Sequence, residues 1–545
     1  MADSSSKGRR HGVFALAGGL DLVLPALLIS ILAYTLVHLI QNWTCLPNLI
    51  AQWPLITGAL VTCGSLLFTY YPARPHHRLP PGPRSIPGIG NVLSLLRDPP
   101  SDCFKKWHDK HGPLVLLHYG QRRVLSINSP QIAHDLLNRR SANYSARPRF
   151  IIANELMTGG MQTVLASGKQ SQLHRRILGP LFTKKMIAKY ETTRDLESKQ
   201  LLHDMLGRED FSQCIARFTA TVVLSLGYGI RLDDIHDKKI REISHINYIT
   251  AGAVDKSYYH LVEHFPLLNK LPAFLSPWRG HAAEAEKATC AFYLKLLRTG
   301  KADPAWNWTH EVLASDAAQG ISELQIAYML GTLQIAGHDT TFVALRIIVK
   351  AIVVNPECMD KAQSELDRVV GPDRLPCDAD EPELPYIQAI VLEALRWQPP
   401  APLLIPHCSV EDDEYMGYVI PKDTTIIANV GLMAHDPEVF PEPRQFKPER
   451  WIDSQGIHDN TFGYGRRACI GQNLAKSHLF LVTARLLWVF RFSHQYRDGH
   501  KVDVDPWATD GCSVTAPKPF EASLQPRSPK HRDLIEREWQ AVKTT

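Results

Sequence analysis

One long apolar helix constrains the fold of this chain more than any other feature of its sequence. The helix is predicted to begin at "SELQ" (Ser322 to Gln325), which has the pattern of a capping box. It is predicted to stop at Asn355, because the residue before a proline is disfavoured in helical conformation. Apolar residues occupy nearly all faces in between, which is typical of a helix buried through the middle of a large domain.

The rest of the chain has room to cover such a helix. The chain has 545 residues, of which 45% are hydrophobic and 21% charged, as in ordinary globular proteins. No internal repeat or second composition shift interrupts residues 92–526, which are therefore predicted to form one domain. Alternating segments at Pro113 to Asn128 and Thr424 to Asn429 predict minor strands. We expect a mainly α fold with small β-sheets.

The N-terminal residues 1–73 are predicted to be a membrane anchor. Segments 22–40 and 49–71 contain no Asp, Glu, Lys or Arg, and each approaches the ~20 residues needed to cross a bilayer. An alternative is that only one segment crosses and the other lies in the interface. Basic residues flank the pair on both outer sides, which predicts that the main domain lies in the cytosol. Asn42, in the sequon "NWT", would then face the lumen as a glycosylation acceptor.

Two further segments border the domain. Residues 74–91 are dense in Pro and Gly, which prevents a helix or central strand and predicts a stiff linker. Residues 527–545 form a charged C-terminal tail.

Charge and cysteine content exclude several classes of function. The net charge is only +5, and no dense Lys/Arg run with interleaved aromatics appears, so we expect no nucleic-acid partner. Ten cysteines are scattered without a CxxC pair, which argues against a disulfide framework or a structural zinc site. The main body is expected to lie in a reducing compartment.

A polar stretch, "AGHDTT" (Ala336 to Thr341), interrupts the long apolar helix. One interpretation is a satisfied kink, in which the Thr340 hydroxyl bonds the carbonyl of residue 336. The other is a groove beside a cofactor, with the carboxyl of Asp339 and the hydroxyl of Thr340 placed to pass protons. The sequence leaves both open.

Two weaker patterns follow that helix. "EALR" places Glu393 and Arg396 on one helix face, and "FKPERW" contains Arg450. Such charges usually form solvated surface pairs that contribute little to stability. The alternative is one buried, bidentate network of all three.

The stretch "FGYGRRACIG" (Phe462 to Gly471) places Cys469 in a glycine-rich, cationic loop. Cationic neighbours favour the thiolate over the thiol, and the glycines allow the backbone to approach a flat ligand closely. Such a thiolate can be a nucleophile paired with a distant His, or a metal ligand. Ligation of haem iron by a single thiolate is the better fit.

Together these motifs resemble those of the cytochromes P-450, the haem-thiolate monooxygenases. The loop around Cys469 matches the family's F-x-x-G-x-R-x-C-x-G at every defined position. "AGHDTT" is similar to the oxygen-activation motif, "EALR" to the ExxR pair and "FKPERW" to the PER region, all in the family's order. The resemblance covers the chain from about Pro80, and it implies a single P-450-type haem domain.

The resemblance also implies roles for particular residues. Cys469 would ligate the haem iron as a thiolate, and Asp339 and Thr340 would pass protons to the dioxygen that the haem activates. Other residues would contact the cofactor, three of them through its propionates: Arg467, Arg175 and His407, with Phe462 and Gly465 in the loop. One position departs from the family, because Ser171 stands where it usually has Trp.

The activity implied is insertion of one oxygen atom of O2 into a lipophilic small molecule, as in fungal microsomal members of secondary metabolism. Electrons would come from a membrane-bound NADPH reductase carrying FAD and FMN, and the arginines around Cys469 would suit its acidic face. Segments Pro399 to His407 and Arg149 to Met161 are expected to line an apolar substrate pocket. The alternatives are a haem-thiolate isomerase or dehydratase that needs no external electrons, and a non-enzymatic membrane protein.

Overall fold

The computed structural model describes residues 79–544, except for residues 209, 257–260, 454–458 and 512–513. Both predicted membrane spans, 22–40 and 49–71, lie outside the described residues. Within the described part of the chain, no helix has the length and apolar character required to cross a membrane.

Helices dominate the described residues, as the sequence predicts. The α-helices are α1 (Val92–Arg97), α2 (Pro100–His111), α3 (Pro130–Ala133), α4 (Ser141–Tyr144), α5 (Gly168–Leu178), α6 (Lys184–Lys189), α7 (Glu191–Met205), α8 (Phe211–Tyr228), α9 (Lys238–Lys256), α10 (Leu261–His264), α11 (Pro277–Ala302), α12 (Trp308–Ala314), α13 (Glu323–Val354), α14 (Pro356–Val369), α15 (Pro385–Trp397), α16 (Val430–Met433), α17 (Arg450–Asp453), α18 (Gln472–Val489) and α19 (Pro529–Thr544). Short helices of other types are π-helical at His134–Arg139 and Ile151–Leu156, and 3₁₀ at Gly179–Phe182, Pro266–Lys270, Ala273–Leu275, Asp316–Ala318, Asp378–Glu383 and Gly465–Arg467.

The strands are short. They are β1 (Leu114–Tyr119), β2 (Arg122–Ile127), β3 (His407–Cys408), β4 (Asp413–Tyr415), β5 (Tyr418–Ile420), β6 (Thr425–Ala428), β7 (Phe490–His494), β8 (Tyr496–Arg497), β9 (His500–Lys501), β10 (Thr509–Asp510), β11 (Ala516–Pro517) and β12 (Ala522–Pro526). The largest sheet has four strands in the order β1-β2-β6-β3, with β2 and β6 parallel. Strands β4 with β5, β7 with β12, β8 with β9 and β10 with β11 form two-stranded antiparallel pairs. The sheet positions His407, because β3 pairs with β6 at the edge.

Helix α13 runs through the main hydrophobic core, where the sequence places it. The Ser322 side chain accepts a hydrogen bond from the Gln325 N–H at 3.2 Å, so the predicted cap forms. Most of the helix is buried, and its neighbours include α8, α11, α15 and α18. The apolar residues on its many faces are thus covered from several directions, which confirms the predicted central position.

The glycines of α13 permit close helix packing. A Cβ at Gly331 would lie 2.5 Å from the Tyr293 ring of α11, and one at Gly337 would lie 2.7 Å from Val223 of α8. The helix-weakening Gly337 is therefore explained first by the approach of α8, and only secondly by the groove that the sequence suggests.

Both ends of the described chain pack on the domain. Pro81 accepts a hydrogen bond from the N–H of Leu116 in β1, so this part of the predicted linker lies against the sheet. The charged tail forms helix α19, which packs on α7 and buries Trp539.

Candidate active site

A cavity of about 340 Å³ lies between α13 and the loop that precedes α18. Helix α13 contributes Ala336 and Thr340 to one wall, and the loop contributes Cys469 to another. The rest of the lining includes residues of α5 and α18, the segment before β3, and Arg147, Thr163 and Val164. Thr340 and Cys469, which are 129 residues apart in sequence, therefore line the same cavity. They belong to the two strongest motifs of the sequence.

The Cys469 loop is held by its own backbone. The N–H of Cys469 donates to the carbonyl of Phe462 at 2.8 Å, which closes the loop. Gly463 and Gly465 have φ of +76° and +52°, in the left-handed region that favours glycine. Helix α18 begins three residues after the cysteine, at Gln472.

Protein atoms surround Cys469, but its side chain is exposed to the cavity. Burial raises the pKa of the Cys469 thiol, and a hydrogen bond from the Gly471 N–H and the charge of Arg175 oppose this only in part. The expectation that cationic neighbours favour the thiolate is therefore incomplete. A ligand that binds the sulfur has to stabilise the anion.

Three guanidinium groups and an imidazole meet at one end of the cavity. Arg147 donates to the carbonyls of Ile405 and Pro406, at 2.5 and 2.9 Å. Arg467 donates to the carbonyls of Ser145 and Ala166, at 2.7 and 2.6 Å.

The other two groups are bound in the same way, to main-chain oxygens. Arg175 donates to the carbonyl of Ala468 at 3.0 Å. His407 donates from Nδ1 to the carbonyl of Tyr144 at 2.6 Å. Among the described residues, none of the three arginines forms an ion pair with a carboxylate.

The electrostatics of this end show an excess of positive charge. Burial lowers the pKa of Arg147 strongly, and the charges of Arg467 and Arg175 lower it further. Burial, with a smaller effect from the charge of Arg147, lowers the pKa of His407 to about 3. Burial also lowers the pKa of Arg467 to about 10. Buried charges without counter-ions are costly. The cluster therefore fits a ligand that carries carboxylates.

Sequence reasoning missed Arg147. It stands in "SARPRF", between two short helices, and no spacing pattern distinguishes it from the neighbouring Arg149. Arg467 and Arg175 line the cavity, whereas Arg466, the other arginine of the Cys469 loop, is exposed.

Asp339 and Thr340 are adjacent in sequence but point to different surroundings. The Thr340 hydroxyl lies on the cavity wall and donates to the carbonyl of Ala336 at 2.6 Å. This confirms the back-bonding interpretation, and it leaves the lone pairs of the hydroxyl available to accept a proton donor. The two interpretations of the motif are therefore compatible.

The Asp339 carboxyl lies beside the cavity, outside its wall. It accepts a hydrogen bond from the Asn247 side-chain amide of α9 at 2.7 Å. Burial raises the pKa of Asp339 to about 6, although the Asn247 amide opposes this shift. A carboxyl with a pKa near neutrality is suited to exchange protons.

Glu393, Arg396 and Arg450 form one buried network. Glu393 is fully buried and accepts two hydrogen bonds from Arg396, both at 2.8 Å. Arg450 donates a hydrogen bond to Glu393 at 3.1 Å, and the Trp451 indole donates another at 2.9 Å. The network hypothesis is therefore confirmed, and the surface-pair alternative is wrong.

Of the two segments predicted to line the substrate pocket, only one lines the cavity. Pro400, Leu404 and Ile405, from the segment 399–407, line the cavity. Residues 149–161 do not line it. They pack in an apolar cluster with residues of α9 and α11, and Thr163 and Val164 line the cavity instead.

Known proteins resemble this chain along most of its length. Residues 80–523 match the sequence model of the family described as cytochrome P-450. The chain is a cytochrome P-450. An Aspergillus ruber protein named echilunin cytochrome P-450 monooxygenase is 39% identical over 85% of this chain and 87% of its own length. The P-450 monooxygenase FrzL of a Cladobotryum species is 35% identical over 88% of this chain and 93% of its own length.

A solved structure agrees with the assignment. A zebra fish cytochrome P-450, described as a structure with abiraterone, aligns with a TM-score of 0.65 and 25% identity. The alignment covers 79% of this chain and all of that one. Haem with iron bound by thiolate is therefore the cofactor of this P-450.

The residues of this P-450 fit that cofactor. Cys469 presents its sulfur to the cavity, and the three arginines together with His407 would hold the two haem propionates. At Ala336 and Gly337, helix α13 presents no large side chain to the cavity.

Among the predicted site residues, Phe462, Arg175, Arg467 and His407 line the cavity with Cys469. Gly465 does not. It lies against the π-helical segment His134–Arg139, where a Cβ would approach the Leu137 carbonyl to 2.2 Å. Its place in the motif therefore reflects the packing of the loop.

Proposed function

We propose that this P-450 monooxygenase inserts one oxygen atom of O2 into a lipophilic small molecule during biosynthesis of a fungal secondary metabolite. The observation that carries the proposal is that the Cys469 thiol and the Thr340 hydroxyl line one largely apolar cavity. When bound, the haem supplies the activation of dioxygen and the oxidation of the substrate.

The protein's own part is to orient the substrate and to deliver protons. Leu333, Leu404 and Ile405 offer apolar contacts that exclude water from the reacting end of a substrate. The Thr340 hydroxyl holds a proton donor at the wall of α13, and Asp339 replaces each proton that is used. This favours monooxygenation over the alternative rearrangement or dehydration, which needs no proton delivery to dioxygen.

Electrons are proposed to come from an NADPH reductase that carries FAD and FMN. Exposed basic side chains lie on the outer side of the Cys469 loop, where they would bind an acidic partner: Arg176, Lys184, Lys185 and Arg466. Phe182, two residues before Lys184, lies 3.7 Å from the Cβ position at Gly471, so this surface is close to the thiol.

We further propose that segments 22–40 and 49–71 anchor the chain in the endoplasmic reticulum membrane, with the haem domain in the cytosol. The support is their length and lack of charged residues. Asn42 would then be the lumenal glycosylation acceptor. Protease protection of the haem domain in sealed microsomes would refute this orientation.

Two experiments test the function. The first compares the metabolites of the source organism with and without the gene, and a precursor is expected to accumulate in the deletion strain. The second expresses the chain with a fungal NADPH reductase. The purified enzyme should convert that precursor to a product with one added oxygen atom, or to a product of successive oxidations. Incorporation of label from ¹⁸O₂ is expected in the first oxygenated product. Full conversion without NADPH and reductase would instead establish the isomerase or dehydratase alternative.

A further inference from the structure

A polar residue, Thr332, lines the cavity at a distance from Thr340. It precedes Thr340 by eight residues on α13, and both residues line the cavity, as does Ala336 between them. Residues four apart lie on the same face of a helix. Because a helix rises about 1.5 Å per residue, Thr332 is about 12 Å from Thr340 along this wall.

The Thr332 hydroxyl has more hydrogen-bond acceptors beside it than it has protons. Its Oγ1 lies 2.7 Å from the carbonyl oxygen of Tyr328 and 2.9 Å from Oε1 of Gln162. A threonine hydroxyl carries one proton and two lone pairs. Because that proton is shared between two oxygens, this part of the site has spare acceptor capacity. It can accept an N–H or O–H group of a ligand.

Thr163 adds a second hydroxyl. It follows Gln162 in the chain and lines the same cavity, and its buried Oγ1 has no hydrogen-bond partner among the described residues. Leaving a buried hydroxyl unbonded is costly, so a ligand group that bonds to it is stabilised. The N–H groups of Leu165 and Ala166 donate to the Gln162 carbonyl at 3.1 and 3.0 Å, so the segment is fixed before a ligand binds. We call Gln162, Thr163 and Thr332 the polar anchor.

The charge of the polar anchor limits the kind of group that it can bind. Its three side chains are uncharged, whereas the three arginines that line the cavity belong to the end that fits the haem propionates. An ionised group at the polar anchor would lose its hydration without gaining a counter-ion. A neutral group that both donates and accepts a hydrogen bond, such as an amide or a hydroxyl, matches the polar anchor.

We propose that the polar anchor binds a neutral amide or hydroxyl group of the substrate and thereby determines which carbon is oxidised. The inference rests on the proposed function, in which oxidation takes place beside Thr340. The substrate class is then a lipophilic molecule whose hydrogen-bonding group lies about 12 Å from the oxidised carbon. Thr163 and Thr332 are the specificity-determining residues, because their hydroxyls contact that group.

The test uses imidazole probes in place of the substrate. Two series of 1-alkylimidazoles of increasing chain length are titrated into the purified holoenzyme, and binding of the ring nitrogen to the haem iron is followed by the shift of the Soret band. One series ends in a carboxamide and the other in an isopropyl group of similar shape. At the chain length that reaches Thr332, the carboxamide should bind about tenfold more tightly than its isopropyl counterpart. A ratio of affinities that does not vary with chain length would overturn the proposal.

Variants then assign this preference to particular hydroxyls. Thr163→Val and Thr332→Val keep the side-chain shape, and each should lower the carboxamide preference by about threefold, while the isopropyl series keeps its affinities. Thr332→Ser retains the hydroxyl and should retain the preference. The matched control is Thr250→Val on α9, because the Thr250 hydroxyl also bonds the carbonyl four residues earlier, at 2.8 Å, but does not line the cavity. Its affinities should equal those of wild type.

The outcomes separate this inference from the function on which it rests. If the imidazoles bind but the carboxamide preference persists in the double variant Thr163→Val, Thr332→Val, the polar anchor is refuted and the haem site stands. An equal loss of affinity for both series in Thr332→Val would show that Thr332 only ties Gln162 to α13, which also refutes the polar anchor. Absence of any spectral shift with either series would overturn the proposed function and this inference with it.

Discussion

At the scale of single residues, the site separates two neighbouring side chains by about a quarter turn of helix. Thr340 reaches the cavity, whereas Asp339 lies half-buried beside it and accepts a hydrogen bond from Asn247. This arrangement keeps the acid away from the substrate and leaves the hydroxyl in contact with the reacting space. The first two predictions follow from that difference.

Thr340→Ala should uncouple NADPH consumption from product formation. The variant loses the hydroxyl that holds a proton donor at the cavity wall, so more hydrogen peroxide and less product should form per NADPH consumed. We expect a fall in product yield of about 100-fold, at the lower end of the range for loss of a proton-transfer group. The measurement is of NADPH, peroxide and product together.

Thr340→Ser is the matched control, because it keeps a hydroxyl able to bond the Ala336 carbonyl. Its coupling should stay close to that of wild type. If both variants lose activity equally with an unchanged product yield, Thr340 has only a structural role in α13.

Asp339→Asn should change how stability depends on pH. Burial raises the folded-state pKa of Asp339 to about 6, above its ordinary value of 3.8. The stability from its neutral form is fully present below about pH 4 and is lost as the pH rises through about 6. Asn stays neutral, so the variant should gain stability relative to wild type over this range, by up to about 3 kcal/mol.

The measurement is the free energy of unfolding by denaturant, at several pH values between about 4 and 7. Asp109→Asn on α2 serves as the control, since its carboxylate is 63% exposed in an exposed pair with Lys105. A difference between Asp339→Asn and wild type that does not vary with pH would contradict the raised pKa.

At the scale of elements, the buried Glu393 ties three segments together. It bonds Arg396 within α15, Arg450 at the start of α17, and the N–H of Lys447 before that helix. Helix α15 also contributes Leu395 to the cavity wall, so the network joins that wall to the segment that precedes the Cys469 loop.

Glu393→Ala should destabilise the domain by about 3–5 kcal/mol, because it leaves the charge of Arg396 buried without a partner. Denaturant unfolding measures the change, and the fraction of protein that retains haem checks it independently. Asp109→Ala removes the exposed ion pair with Lys105 and should cost less than about 1 kcal/mol. Equal effects of the two changes would show that the Glu393 network contributes no special stability.

At the scale of the whole molecule, the features that the sequence predicts are those determined locally. The ends of α13 follow from the Ser322 cap and the Asn355-Pro356 pair, and the Cys469 loop follows from contiguous glycines and arginines. Both are encoded within a few neighbouring residues, so one sequence suffices to recognise them.

The missed features depend on contacts between distant elements. Asn247 meets Asp339 from 92 residues away. Glu263, in the short helix α10, is buried and accepts hydrogen bonds from the N–H groups of Ile151 and Ile152, 112 and 111 residues away. The hydrophobic pattern of a helix predicts which of its faces is buried, but it does not predict which other helix packs against that face. The orientation of Asp339 away from the cavity was unpredictable for the same reason.

The central claim is that Cys469 is the thiolate ligand of the haem. The measurement that tests it most directly is the absorption spectrum of the reduced carbon monoxide complex, for wild type, Cys469→Ala and Cys103→Ala. Cys103 is 2% exposed in helix α2 and does not line the cavity. The Cys103→Ala variant therefore controls for the loss of a buried cysteine. Wild type and Cys103→Ala should give the Soret band of thiolate-bound haem, and Cys469→Ala should lack it. A Cys469→Ala protein that kept this band would contradict the account.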